Sequence, residues 1–255
     1  MKILSWNIAG GHTFLGTVED ALSYEKEDLK YFEQQIKQVN PGIIALQEAH
    51  THEIDIGQNH ANILSKDLDY KYLENHPYGK SHIKKENELS LTTLSKYPIT
   101  SSFFHQLPNP GLTIKRPNGD NWVTFDVGFL VTTIIYDEQK IIVMNCHLAP
   151  FHYFERDYQE EEFQNIRDDI TELLNPFSKI PTIVLGDFNY GNLRKILPAV
   201  FENQKYMEAF ENIETTPGKG QQDHILYSSL WELESCEVKK ANSDHYLCIA
   251  DLKLK

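Results

Sequence analysis

The feature that most constrains this chain is a series of short apolar runs, at Ile3–Ile8, Ile43–Leu46, Leu89–Leu94, Val123–Ile135, Ile141–Met144, Thr182–Leu185, His224–Tyr227 and Tyr246–Leu252. Several are apolar enough to be central strands, covered on both faces. So many central strands exceed a small α/β unit.

Between the runs the apolar period changes. Leu29, Phe32, Ile36 and Val39 share one helical face, and Phe163, Ile166, Ile170, Leu173 and Leu174 share another along an acidic segment. Asn40-Pro41-Gly42 is expected to stop the first helix and Asn175-Pro176 the second, because proline disfavours helical backbone at the residue before it. Each helix leads directly into an apolar run. The order strand, helix, strand, then consecutive strands, then helix and strand predicts an α/β sandwich, two mixed β-sheets packed face to face with helices outside. Irregular stretches are expected at His76–Glu88, Leu107–Asn121 and Glu214–Gln222, which are rich in Pro, Gly, Asn or Lys. Loops of that size in a compact domain are often functional.

Composition narrows the function. A chain of 255 residues with 40% hydrophobic residues reads as a single domain spanning 1–255. With 24 Lys+Arg against 37 Asp+Glu the net charge is −13, which rules out a polybasic binder of nucleic acid or anionic membrane. No apolar run is long enough for a signal peptide or a membrane span, so a cytoplasmic monomer is expected. Cys146, Cys236 and Cys248 have no CxxC or finger spacing and read as buried free thiols. His12, His50, His52, His60, His76, His82, His105 and His152 lie in polar contexts or near element ends and read mostly as solvated or simple hydrogen-bonding side chains.

Polar clusters bound the apolar runs repeatedly. Ser5-Trp6-Asn7, Leu46-Gln47-Glu48, Asn145-Cys146-His147 and Gly186-Asp187-Phe188-Asn189 close runs, whereas Asp223-His224 and Ser243-Asp244-His245 open them. Carboxylates, carboxamides and imidazoles can therefore meet at one rim of the sandwich. Hard oxygen donors with imidazole and no thiolate suit Mg²⁺ or Mn²⁺ better than zinc. Taken singly, Asn7 could be a turn residue, Glu48 a solvated strand end, Gly186–Asn189 an Asx turn and Asp244 an N-cap. Turn chemistry alone does not readily assemble all of them in this order.

That order resembles the endonuclease/exonuclease/phosphatase superfamily, which includes DNase I, exonuclease III-type AP endonucleases, neutral sphingomyelinases, inositol polyphosphate 5-phosphatases and tyrosyl-DNA phosphodiesterase 2. The resemblance runs from Trp6 to His245 and also takes in Leu94-Ser95-Lys96-Tyr97-Pro98-Ile99. It implies a four-layer α/β sandwich with the active site at the strand-end rim. It further implies that Glu48 is the principal metal ligand with Asn7 beside it, and that Asp244 is a metal ligand or neighbours one. Asp187 and Asn189 would orient or activate water and contact the scissile phosphate. His245 would stabilise the phosphate or act as base, with Asp223 fixing its tautomer. His147 matches the middle histidine of several members and departs from AP endonucleases. In motif style the chain is nearest tyrosyl-DNA phosphodiesterase 2, with Ser5 where that subgroup usually has threonine.

The expected function is thus a Mg²⁺- or Mn²⁺-dependent phosphodiesterase acting on nucleic acid or a nucleic-acid adduct. Phospholipid or inositol phosphate hydrolysis uses the same centre with different loops. A catalytically inactive binding module would be expected to lose residues such as Glu48, Asp187 or His245, and all three are present. His224 should point away from Asp223 by strand alternation and reads as structural. Two basic loops, Lys80/His82/Lys84/Lys85 and Lys115-Arg116, could capture phosphate or simply be solvated. Phe103, Phe104, Trp122 and Phe125 could stack on a base, enter lipid or fill the core.

Overall fold

Chain order gives β1 (Lys2–Asn7), a small hairpin of β2 (His12–Phe14) and β3 (Tyr24–Glu27), then β4 (Ile43–His52), β5 (Tyr72–Lys80), β6 (Asn87–Ser95) and β7 (Ile99–Gln106). A second hairpin, β8 (Thr113–Lys115) and β9 (Asn121–Val123), precedes β10 (Gly128–Tyr136), β11 (Gln139–His147) and β12 (Thr182–Asp187). The last strands are β13 (Tyr206–Glu208), β14 (Asp223–Ser228), β15 (Trp231–Lys239) and β16 (Leu247–Leu254). The computed structural model describes residues 1–14, 24–52, 55–115, 119 and 121–255, except the side chain of Glu25. Arg116, Pro117 and Asn118 of the second basic loop lie outside the described residues.

One six-stranded sheet runs β15-β16-β1-β4-β6-β5 and the other β13-β14-β12-β11-β10-β7. Each contains one parallel pair, β1 with β4 and β11 with β12, among antiparallel neighbours. Alternation along the strands produces the layers. Ile3, Ile43 and Ala45 of the first sheet meet Val143, Ile183 and Leu185 of the second in the core between sheets. Their sequence neighbours Leu4, Ile44 and Leu46 turn outward onto Phe32 and Ile36 of α1 (Leu29–Val39) and Leu64 of α2 (His60–Asp67). On the far side, Met144 and Val184 pack beneath Ile166, Ile170 and Leu174 of α3 (Gln164–Phe177). The result is the four-layer α/β sandwich expected.

A buried carboxamide cluster crosses the interface between sheets. Gln47 Nε2 on β4 donates to Asn145 Oδ1 on β11 at 2.7 Å, and Asn145 Nδ2 donates to the Leu46 and Thr92 carbonyls, both at 3.0 Å.

Several expectations need correction. α3 continues through Pro176, because the proline falls in the last turn and Ser178 closes that turn on the Asn175 carbonyl with both its N–H and its hydroxyl. α1 does stop at Asn40, which takes the left-handed conformation with φ 51°. Part of the stretch expected to be irregular at His76–Glu88 is β5, and hairpin β8–β9 occupies part of Leu107–Asn121. Cys146 and Cys248 are buried free thiols, but Cys236 is exposed on edge strand β15. Of the histidines read as solvated or hydrogen-bonding, His12, His50 and His60 are the hydrogen-bonding kind and are buried. Among the described residues no helix is long and apolar enough to cross a membrane.

Candidate active site

Strand direction explains where the polar clusters gather. Asn7, His147 and Asp187 end β1, β11 and β12, and Glu48 lies in β4 next to the Gln47 that pairs with Asn7. β14 and β16 run antiparallel to their neighbours, so they bring Asp223, and Asp244 with His245, to the same edge. The register sets His147, Asp187 and Asp223 opposite one another across three adjacent strands. Residues paired this way project from one face, so these side chains converge.

Two backbone features aim the site. The β4–β6 ladder slips between Leu46 and Ala49, and Glu48 has φ 56°. A non-glycine residue held there costs about 1–3 kcal/mol and redirects the side chain. Gly186 has φ 149°, and a Cβ on it would lie 2.0 Å from the Cys146 carbonyl oxygen of β11. Only glycine permits that approach immediately before Asp187.

Glu48 is buried, and its Oε2 has no hydrogen-bond partner. His147 Nε2 lies 3.9 Å from Oε1 and His82 Nε2 lies 4.0 Å from Oε2. Burial, and then the nearby Asp244 carboxylate, push the Glu48 pKa up to about 8. Asp187 Oδ2 accepts from Asn7 Nδ2 at 3.1 Å and faces both His147 Nε2 and His245 Nε2 at 3.5 Å. Its Oδ1 accepts the Asn189 backbone N–H at 2.8 Å, and burial raises its pKa. Asn189 has φ 49° and donates one amide hydrogen to the Leu148 carbonyl at 2.8 Å, which leaves its second donor for other use. Asp244 Oδ2 accepts from Tyr24 Oη of β3 at 2.6 Å.

The two histidines differ in charge, His147 being neutral and His245 an imidazolium. Burial, reinforced by His245, pushes His147 down to about 4. Tyr78 Oη lies 2.6 Å from His147 Nδ1, and burial raises that phenol far above its usual range, so Tyr78 keeps its proton and donates it. The His147 hydrogen therefore sits on Nε2, facing Asp187. Burial also opposes charge on His245, but Asp223 and Asp187 outweigh it and hold its pKa well above 6.5. Asp223 Oδ2 is 2.8 Å from His245 Nδ1, the pairing expected. His224 points the other way, to Glu208 and the Tyr190 carbonyl, and is structural as expected.

Which groups suit a cation follows from what remains unused. Asp187, Asp223 and His245 offer atoms within 4.8 Å of one another, but an imidazolium cannot be a ligand. Glu48 Oε2, buried and unpartnered beside the Asp244 and Asp187 carboxylates, fits a hard divalent cation. A second group with ligand-like spacing, Glu27, His50 and His60, does not. His60 Nδ1 accepts the His50 backbone N–H at 3.2 Å, so the hydrogen of its neutral ring is on Nε2, donated to Glu27 at 3.0 Å. That tautomer leaves no lone pair for a metal.

Sequence reasoning missed Tyr24 and Tyr78, whose phenols come from the small hairpin and an edge strand and carry no periodic signal. Of the basic loop, His82 does face Glu48, whereas Lys84 pairs with Glu27 and Lys80 with Glu88.

The model of the endonuclease/exonuclease/phosphatase family matches residues 4–245, and the chain belongs to that family. It is accordingly a phosphoester hydrolase of a class that generally depends on divalent metal. None of the curated proteins matches the sequence. Among solved structures it is similar to an endonuclease/exonuclease/phosphatase from Beutenbergia cavernae DSM 12333, with 14% identity, TM-score 0.71 and coverage of 100% of this chain and 71% of that one. It is similar to the mannosyl-6-phosphatase of Bacteroides thetaiotaomicron VPI-5482, with 13% identity, TM-score 0.66 and full coverage of both chains. A humanized D. rerio TDP2 gives 14% identity and TM-score 0.62, covering 99% of this chain and 98% of that one. These likenesses are of fold and do not single out the tyrosyl-DNA phosphodiesterase 2 subgroup.

Proposed function

We propose that the protein is a Mg²⁺-dependent phosphodiesterase of nucleic acid or a nucleic-acid adduct, with 1–255 acting as one catalytic domain in a cytoplasmic monomer. The observation that carries this reading is the orphaned Glu48 Oε2, set among buried carboxylates and two histidines, one neutral and one cationic. Glu48, Asn7 and Asp244 would hold the ion. When bound, it offsets charge on a nonbridging phosphate oxygen and on the leaving oxyanion.

The remaining steps belong to the chain. Asp187, fixed by Asn7 and by the Asn189 backbone, orients the attacking water in line and takes its proton, for which its raised pKa suits it. The His245 imidazolium, held by Asp223, faces the phosphate as a preorganised cation. Neutral His147 donates Nε2–H to a phosphate oxygen, and the second Asn189 donor adds another hydrogen bond. Three free cysteines with no disulfide agree with a reducing compartment.

One substrate panel with Mg²⁺ tests the reading: single-stranded and duplex DNA, a 5′-tyrosyl adduct, sphingomyelin and inositol phosphates. Chelator-sensitive cleavage of a nucleic-acid substrate is expected. Faster turnover of sphingomyelin or an inositol phosphate would replace it.

A further inference from the structure

Near the carboxylates lies a group of side chains that the hydrolytic steps do not use. After β11 the turn Phe151–Phe154 buries both phenylalanines and leaves His152 and Tyr153 exposed, the latter by 38%. Trp122 of β9 packs on Tyr153 with ring centroids 5.1 Å apart, and on buried Phe154 at 5.3 Å. His152 adds a third ring, 4.2 Å from Tyr153. Lys219 sets its ammonium 3.9 Å from the Tyr153 ring centroid, donates to the Tyr153 hydroxyl and lies 3.4 Å from His152 Nε2.

This wall belongs to the site by connection. The Lys219 N–H bonds the Thr216 carbonyl at 3.0 Å, and Thr216 Oγ1 is 3.2 Å from His245 Nδ1. Burial first, then Asp244, Glu48 and Asp187, raise the Tyr153 phenol, so its ring lies in the field of the same carboxylates. Burial and then Lys219 push His152 down to about 4, which makes Lys219 the cation of this wall.

We propose that Trp122, Tyr153 and Lys219 form a subsite for a nucleobase carried on the scissile phosphate, the rings lying against the base and the ammonium against a phosphate oxygen. Flat rings hold any base by its π-face, whereas a sugar or inositol needs directional partners for its hydroxyls. The phenol, the ammonium and the His152 ring on this wall already bond to one another. A lipid chain would favour apolar surface without a cation. In a chain of net charge −13, an ammonium on this wall also favours an anionic ligand locally. The subsite rests on the phosphodiesterase reading above and adds to it the residues that would hold the base.

Fluorescence tests it without requiring turnover. Trp6 and Trp231 are 0% exposed, but the Trp6 indole bonds the His245 carbonyl, so the emission change assigned to Trp122 is the part lost in Trp122→Phe. The full chain with Mg²⁺ is titrated with thymidine 5′-monophosphate and with ribose 5-phosphate. Saturable quenching by the nucleotide is expected, with ribose 5-phosphate about tenfold weaker. Tyr153→Leu should weaken nucleotide binding about tenfold and Tyr153→Phe should retain it, both with unchanged circular dichroism. Lys219→Ala should weaken both ligands and Lys219→Arg should restore them. Equal affinity for the two ligands, or wild-type affinity in Tyr153→Leu, would overturn the subsite. Nucleotide binding as expected without cleavage of a thymidine dinucleotide would remove the catalytic reading and leave the subsite standing. Hydrolysis of bis(p-nitrophenyl) phosphate without base preference would do the reverse.

Discussion

Two groups of imidazoles and carboxylates, one buried and one partly so, include residues of β4, and at the level of residue types they look alike. One contains Glu48, His147, Asp187, Asp223 and His245, the other Glu27, His50 and His60. They differ in what each leaves over. In the second, His60 has both ring nitrogens engaged, and His50 has Ser81 Oγ at 2.9 Å and the Asn87 carboxamide at 3.1 Å on its two nitrogens. Glu27, held by His60 and then Lys84 against partial burial, falls to about 2 and is fully paired. The first leaves Glu48 Oε2 and Asp223 Oδ1 buried without partners and holds Glu48 at about 8. A satisfied network ties a hairpin down; an unsatisfied one is poised for a ligand.

That contrast can be tested at descending scale. The largest effect should follow Glu48→Gln or Asp187→Asn, each lowering kcat by about 10²–10³-fold while His60→Ala retains most activity. Steady-state kinetics at saturating metal decide it, and equal losses in all three would erase the distinction. Next, activity that needs the His245 imidazolium should fall as pH rises through its pKa. Asp223→Asn removes the anion that raises that pKa and should move the fall about one unit or more toward lower pH. An unmoved profile would deny Asp223 its electrostatic role.

Smaller effects concern stability and protons. His60→Ala strands Glu27 Oε1 and the His50 N–H, leaving Glu27 to Lys84 alone, and should cost about 1–3 kcal/mol, or about 2–4 °C of Tm per kcal/mol, with metal affinity unchanged. A melt combined with metal titration reads both. Finally, Glu48 with a pKa of about 8 is mostly protonated at pH 7 in the metal-free protein. Metal uptake should then release about one proton there, and none in Glu48→Gln, as calorimetry in buffers of different ionisation enthalpy would show.

What could be read from residues alone divides along the same physical line. β1, β4, β11, β12, β14 and β16 lie inside their sheets and bury both faces, so their apolar runs stand out. β5, β7, β13 and β15 are the four sheet edges, and none appears among the apolar runs. β5 is half-buried along most of its length and contains Pro77 and Gly79, and β7 and β15 are largely exposed. An edge strand pairs by backbone on one side only and needs no continuous apolar sequence. The candidate site was legible because its acids and imidazoles lie where interior runs end or begin. Tyr24, Tyr78 and Tyr153 were not, because a hairpin, an edge strand and a short turn place them.

The carboxamide pair beneath the site has a mechanical consequence. Glu48 rides on one sheet and His147 and Asp187 on the other, so the offset between sheets is itself a dimension of the catalytic geometry. Apolar faces slide past one another at little penalty, since hydrophobic attraction has no direction and one methyl group serves as well as the next. Gln47 and Asn145 do not permit this, because a shear of one residue, about 3.3 Å, would strip the partners from both amides in a dry interior. They act as a dowel that indexes the two halves. Replacing both with leucine could preserve the fold and even its stability, yet it would free the sheets to drift and blur the spacing between Glu48 and Asp187.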